Sequence, residues 1–458
     1  MGGNPTRIRY NRPRLLTEVG SSLFEVPMTQ FIPNADQQNT IDKFFAFLFT
    51  EEKEFNISGG PGVGKSALIG HMIHSVMHEY EKMCKIMGSK VDYKWATLTT
   101  MTNQAACVLS EKSGLEVDTL YSFLNLKVVQ DYRSGRTRLE RTAGWRVHEN
   151  GVIFVDEGGM IDSSLSTILH EGTLNCKIVY VGDHCQLGPI HERISPIYIR
   201  NIPMSVITTP VRNASQPALV NVVNQARTTV ETGNFKPIQI VPGVIDHFSG
   251  PELEAYVAAN FQQQRPDIRI LAYTNDQVQA YNEHIREMRK LPNHFTPGEH
   301  LVCASNYMNR KTHFPTEQGI VVQAVADTVN TVQLEPDVSM DVRKMTVSKI
   351  GETALHEVLI PEDPRHYSAL VKHYGRIKRW DLYFRLKNEY PDFRLSDACT
   401  FHKAQGSTFD TVIIDLDNLS VCHQPNTVAR MLTVGLSRAR ERVILYGQLA
   451  SKYGGLRE

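Results

Sequence analysis

The stretch that most constrains this chain is Gly59, Gly60, Pro61, Gly62, Val63, Gly64, Lys65 and Ser66, which satisfies G-x-x-x-x-G-K-[ST]. A short stretch that reads as a strand, Glu54–Ser58, precedes it, and helical spacing from Ser66 through Ala67 to about Met83 follows. That is the strand-then-helix setting the pattern requires. Glycines there let backbone N–H groups wrap a phosphate. Lys65 is placed to neutralise the β and γ phosphates, the Ser66 hydroxyl to ligate Mg²⁺, and the helix N-terminus adds its dipole. ATP with Mg²⁺ is the expected ligand.

Strands recur at Trp95–Leu98, Val152–Val155 and Ile178–Val181, separated by helical patterns. This alternation predicts an α/β fold with a parallel sheet covered on both faces. A second alternating set starts near Ile207, with a strand at Arg269–Tyr273, and resumes at Thr411–Asp415 and Arg442–Tyr446. Short β-type runs at Gly319–Ala326 and Thr331–Leu334, then a helix, interrupt it over about 298–395. The expected organisation is an arm at 1–30, a first α/β domain at 31–200, and a second at 201–458 carrying that β insertion. A smaller insertion at 125–149 reads as a β-hairpin around Arg133, Ser134, Gly135 and Arg136.

Composition narrows the class. Of 458 residues, 49 are Lys or Arg and 49 are Asp or Glu, so the chain is neither globally basic nor an acidic tail. A local basic groove stays open to nucleic acid. Seven cysteines show no C-x-x-C spacing and read as reduced thiols of a cytoplasmic protein. No apolar run approaches the roughly 20 residues of a bilayer span. The arm opens on a bare myristoylation pattern but also holds Arg7, Arg9, Arg12 and Arg14; it reads as a solvated tail or as a segment touching phosphates.

A P-loop needs a second acidic site. The apolar strand Val152–Val155 runs into Asp156 and Glu157, which places Asp156 on the metal and leaves Glu157 to activate water. The next strand ends in Gly182, Asp183 and, three residues on, Gln186, which reads either as a sensor of the γ-phosphate or attacking water or as a capped loop. Arg438 and Arg212 are candidate arginine fingers, to be carried from the second domain toward ATP on the first.

In that order, Gln37, Gly59–Ser66, Thr102, Asp156-Glu157, Gln186, Arg212, the run Thr400–Ser407 and Val434–Arg438 resemble superfamily 1 helicases. The Thr-Phe-His-Lys-Ala-Gln-Gly run is most similar to the Dda- and RecD-like, 5′-to-3′ branch. The resemblance covers about 31–447. It implies two RecA-like P-loop domains, an SH3-like fold for the β insertion, and a strand-separating role for the hairpin. It implies that Gln37 contacts adenine, and that Thr102, Thr274, Asn275 and His402 contact DNA. Gln405 and Gly406 would link that track to the nucleotide, with Gly406 on the nucleotide side, and Arg212 and Arg438 would meet the γ-phosphate. The implied activity is ATP-dependent 5′-to-3′ translocation on single-stranded DNA and duplex unwinding, in phage-type replication, recombination or repair. Implied partners are single-stranded and forked DNA, with replication or single-strand-binding proteins as candidates; a monomer and no membrane are expected.

The chain departs from that pattern at Tyr121, where relatives carry His; at Gly158-Gly159, where they carry larger residues; and at Ser437, where they carry Thr. Tyr121 still offers a stacking face. For phosphate contacts the hairpin offers Arg133, Arg136, Arg138 and Arg141, and the stretch Tyr367–Tyr390 interleaves cations with Trp380, Tyr383 and Phe384. The hairpin reads as a pin or as a solvated basic hairpin. The aromatics read as helix core or as a brace on the hairpin, with the cations facing outward. An RNA helicase, a protein-displacing translocase, a metabolic P-loop kinase, or a decayed DNA-binding subunit are the competing readings. The metabolic kinase leaves Thr400–Ser407 unexplained, and intact Lys65, Asp156, Glu157, Gln186 and Arg438 argue against decay.

Overall fold

The computed structural model describes residues 31–457 except 190, 191, 193, 212–215, 293, 310, 311 and 317. The arm at 1–30 and Arg212 lie outside the described residues.

Two units divide the chain. One holds the chain up to Lys127, then Arg141–Asp183 and Gly188–Thr209. The other holds Val128–Glu140, His184–Leu187 and Pro210–Glu458.

In the first unit, runs such as Val152–Val155 bury every side chain, which suits a strand covered on both faces. Six parallel strands form one sheet in the order Met204–Ile207, Glu54–Gly59, Lys177–Gly182, Gly151–Val155, Trp95–Thr100, Val117–Thr119. The edge strand Met204–Ile207 corrects the expected boundary: the unit runs to Thr209, not to 200, because these residues pair with Asn56–Gly59. Helix Ala35–Phe47 starts in a capping box between Asn34 and Gln37 and buries Ile41, Phe44 and Phe47. The P-loop helix Lys65–His71 passes through a π turn, Met72–Val76, into Met77–Met87, and so extends past the expected end at Met83.

The second unit has its own parallel sheet, in the order Ile245–Phe248, Ala439–Tyr446, Phe409–Asp415, Ile268–Ala272, Ala398–Thr400. Between helix Asn275–Met288 and the strand Ala398–Thr400, five strands from His300–Cys303 to Phe393–Leu395 form a separate antiparallel sheet. The two short runs expected at Gly319–Ala326 and Thr331–Leu334 are one long strand, Gly319–Glu335. It absorbs the irregular stretch between them as register shifts against Val338–Lys349. The single helix expected at 367–390 is two, Pro364–Arg376 and Trp380–Glu389, broken where Lys378 takes φ +59°. No helix among the described residues is long and apolar enough to cross a membrane.

One buried charge in the first sheet is measurable. Lys177 is 2 % exposed; its Nζ donates to the carbonyls of Thr50, at 2.8 Å, and Glu52, and lies 4.4 Å from the centre of the Phe47 ring. Desolvation pushes its pKa from the ordinary 10.5 down to about 8, against the opposing pull of Glu51 and Glu52. Between those two values the unfolded chain holds a proton that the folded chain has released, so stability rises with pH across that window. Lys177→Met should flatten the rise in thermal melts between about pH 8 and 10.5. An unchanged slope would refute the assignment.

Candidate nucleotide and nucleic-acid sites

The strand Glu54–Gly59 delivers the P-loop to the C-terminal edge of the first sheet. Gly59 is required by space: a Cβ there would lie 2.8 Å from Val63 Cγ2 and 3.0 Å from the Ile207 carbonyl oxygen. Gly62 and Gly64 are required by backbone, with φ +80° and +83°. Gly64 opens the helix Lys65–His71 without a side-chain cap, which leaves the first N–H groups for a ligand. Lys65 Nζ donates to the carbonyls of Gly59, at 2.7 Å, and Gly60, at 3.0 Å, folding its charge over the loop. Pro61, Ser66 and Ala67 complete the turn and the helix start, Ser66 and Ala67 being its second and third residues.

Gln37 is 3 % exposed and reaches this loop directly, its Nε2 donating to the Val63 carbonyl at 2.9 Å. Its Oε1 accepts from Asn34 N at 3.0 Å, so in this arrangement the side chain braces the loop. The adenine contact implied for it is not part of these bonds. Its neighbour Asp36 carries no signal that singled it out beyond an acid in a first helical turn. One Asp36 oxygen accepts four hydrogen bonds of 2.8–3.0 Å, from the N–H and hydroxyl groups of Thr208 and Thr209. These hold its pKa down to about 2.

The acids stand at the same edge. Asp156 leaves the sheet with its N–H donating to the Thr99 carbonyl at 2.8 Å. Glu157 then takes φ +56°, a left-handed conformation unusual for a non-glycine residue, and a 3₁₀ turn, Gly158–Met160, follows. One strand, Lys177–Gly182, separates this strand from the P-loop strand, so the two ends lie about 10 Å apart. Space is tight at Gly158, where a Cβ would meet Tyr180 Cβ at 3.1 Å and Ile197 Cδ1 at 3.3 Å, whereas a Cβ on Gly159 would make only ordinary contact with Tyr198 at 3.4 Å.

In the second unit, helix Pro425–Arg438 ends on Arg438, which is 5 % exposed. Its Nη1 donates to the Ser407 carbonyl at 3.1 Å and its Nη2 to Ser437 Oγ at 3.0 Å. Arg438 is therefore held against the Thr400–Ser407 run, whose Gly406 takes φ +83° and whose Gln405 is half-buried. Ser437 retains the hydroxyl that the usual Thr would supply. Gln186 lies in the short segment His184–Leu187, which is grouped with this unit and not with the first.

Thr102 and Thr274 occupy matching places in the two units. Each N-caps the helix after a parallel strand, accepting from Ala105 N at 3.2 Å and from Gln277 N at 3.3 Å. Asn418 fixes the second by accepting from Thr274 N at 2.9 Å and donating to Thr274 Oγ1 at 3.0 Å. Such caps present backbone N–H groups and a hydroxyl to an anion. Asn275 and His402 are exposed, and Tyr121 is half-buried, with its hydroxyl pKa raised by burial.

The hairpin strands Leu126–Gln130 and Thr137–Arg141 pair around a turn in which Gly135 takes φ +70° and Asp131 accepts from Arg133 N and Ser134 Oγ. The tip, Val128–Glu140, is grouped with the second unit and not, as expected, with the first. There Tyr132 packs edge-on to Phe384 at 4.9 Å, and Gln130 and Asn388 exchange amide hydrogen bonds of 2.7 and 2.8 Å. A Cβ on Gly135 would strike the Trp380 ring. The aromatics thus serve both readings: Phe384 is buried and also seats the hairpin.

The cations divide differently from expectation. Arg133 and Arg136 are exposed at the tip, while Arg138 pairs with Glu140 at 2.7 Å. Arg141 turns to Glu171 and Trp145 in the first unit. Around the helix break, Arg379 pairs with Glu335 and Asp381, and Arg385 with Glu389, so these arginines face outward but are matched by acids.

Residues 46–192 match the family model described as an AAA domain, and residues 395–446 match that of the UvrD-like helicase C-terminal domain. The ATP-dependent DNA helicase dda of Enterobacteria phage T4 is 22 % identical over 444 residues, spanning 88 % of this chain and 97 % of that protein. Among solved structures, Pif1 helicase from Bacteroides in complex with ADP-AlF3 and ssDNA gives a TM-score of 0.46 at 15 % identity, covering 92 % of this chain and 94 % of that one. Pif1 helicase from Candida albicans gives 0.44 at 16 %, covering 93 % and 97 %. The two model matches and the relative aligned along nearly its whole length make the chain similar to superfamily 1 helicases of Dda type.

Proposed function

We propose that this chain is an ATP-dependent DNA helicase that moves 5′ to 3′ on single-stranded DNA, with Mg²⁺ as its cofactor, and separates strands. The observation that carries the reading is the pairing of one P-loop with two parallel sheets, each ending in a threonine-capped helix, at Thr102 and Thr274. A metabolic kinase has no use for the second cap or for the Thr400–Ser407 run.

The first unit fits a Mg²⁺-bound triphosphate. Its loop needs glycine at 59, 62 and 64, its helix start lacks a side-chain cap, and an acid stands two strands away at Asp156. Mg²⁺ there would supply positive charge against the negative charge of the phosphates. Ser66 and Asp156 would hold it, Lys65 would exchange its bonds to Gly59 and Gly60 for phosphate oxygens, and Glu157 would take a proton from water. Gln186 would report on the γ-phosphate, Arg438 and Arg212 would stabilise charge there, and Gly406 would tie the Thr400 run to the nucleotide. The caps at Thr102 and Thr274, with Asn275, His402 and Tyr121, would hold the DNA backbone and bases. We read the insertion at 300–395 as the SH3-like domain and Arg133, Arg136 and Arg138 as phosphate contacts on the separating pin.

Single-stranded DNA should raise ATP hydrolysis, and Lys65→Ala or Glu157→Gln should lower it by about 10²-fold or more. Hydrolysis indifferent to both DNA and RNA would sink the reading, and stimulation by RNA alone would move it to an RNA helicase. Duplexes with 5′ tails should be opened; opening only from 3′ tails would reverse the polarity. Replacing 133–141 by a short turn should keep DNA-stimulated hydrolysis and lose strand separation, whereas equal loss of both would refute a dedicated pin.

A narrower test follows from the packing behind the acids. Gly158→Val should collide with Tyr180 and Ile197 and shift the adjoining Glu157, cutting turnover by about 10²-fold while ATP affinity stays within about twofold. A matching fall in affinity would show that Gly158 serves the loop as a whole.

A further inference from the structure

The proposed γ-phosphate groups Gln186 and Arg438 are far apart in sequence, and the segment His184–Leu187 is only four residues long. Something must fix where it sits. The helix Pro425–Arg438 supplies that at its middle, through Arg430. Arg430 is 8 % exposed, and its Nη1 donates to the carbonyls of both His184 and Gln186, each at 2.6 Å. Its Nε donates to Asn426 Oδ1 at 2.8 Å, one turn back on the same helix, which sets the direction of the guanidinium. Between the two carbonyls, Cys185 is fully buried with Val230 and Ala429, and His184 Nε2 lies 3.0 Å from Glu231.

We propose that Arg430 is a positioning residue for ATP hydrolysis: it seats the Gln186 backbone on the helix whose last residue is Arg438, so that both groups are carried by one rigid element. The proposal rests on the ATPase reading above. Eight residues of helix set the two attachment points about 12 Å apart. A guanidinium suits the task because one planar group can serve two carbonyls and a side chain at once, and it keeps its charge when buried. A lysine offers a point charge that cannot reproduce that fork. Neither Arg430 nor Asn426 belongs to a motif that the sequence pattern singles out.

The test is a double-mutant cycle on DNA-stimulated hydrolysis with Arg430→Lys and Gln186→Ala. Arg430→Lys should lower kcat about tenfold and leave KM for ATP within about twofold. In the Gln186→Ala background it should add little, since the group it positions is already gone. Equal losses in both backgrounds, or no loss, would overturn the proposal. Asn426→Ala, which removes only the group that aims the guanidinium, should give a smaller loss of the same kind and stands in if Arg430→Lys folds poorly. Hydrogen exchange reads the seat without reference to activity: amides of 184–187 should exchange faster in either variant while those of Phe409–Asp415 do not change. Unchanged exchange at 184–187 would overturn the seat, whereas a wild-type chain without ATPase activity would overturn the functional reading and not the seat.

Discussion

A strand buried on both faces leaves little room for charge along its length, and the arrangement of this protein follows from where its strands end. Val152–Val155 are wholly buried, and polarity begins at Asp156. Glu54–Gly59 likewise turns into the P-loop at its end, and Ile268–Ala272 turns toward Thr274. Because the strands of these two sheets run parallel, such ends gather on one edge of each sheet, where helices begin and their first N–H groups face outward. The P-loop, Asp156 and Thr102 stand at that edge of the first sheet, and Thr274 stands at the corresponding edge of the second.

Charge is handled by the opposite device. The second unit buries arginines and spends them on backbone carbonyls or on acids: Arg430 on His184 and Gln186, Arg438 on Ser407, Arg289 on Asp397 at 2.7 Å. Buried ions are tolerated only when their hydrogen-bonding capacity is met, and here it is met by fixing loops. The equal totals of acids and bases in the composition have this local counterpart. Even the basic stretch around Trp380 matches Arg379 and Arg385 to acids, while Arg133 and Arg136 stand exposed at the hairpin tip near Tyr132 and Phe384.

The sheets, the P-loop and Asp156-Glu157 were legible in the sequence because each is a local pattern: an apolar run, a glycine spacing, an acid after a strand. The edge strand Met204–Ile207 was assigned to the wrong side of the boundary, since nothing in four residues tells which sheet they will join. The break at Lys378 was missed because a left-handed lysine leaves no compositional trace of the kind glycine or proline does. The role of Gln37 as a brace, the four bonds on Asp36, and the grip of Arg430 depend on partners 26 to 246 positions away. Periodicity carries no information at that range. The crowding at Gly158 became readable only with Tyr180 and Ile197 beside it.

The division of the chain has a consequence for its synthesis. Neither unit is one continuous stretch: the chain passes from one to the other at 127, 140, 183, 187 and 209. A ribosome that has made the chain as far as Thr209 has therefore produced every strand of the first sheet. The hairpin tip and the segment around Gln186, already synthesised, would still lack the residues they pack against. Those arrive last, with Trp380–Glu389 and then Pro425–Arg438. The nascent chain can therefore complete its first sheet and phosphate loop before the partners of the hairpin tip and of the Gln186 segment have been made.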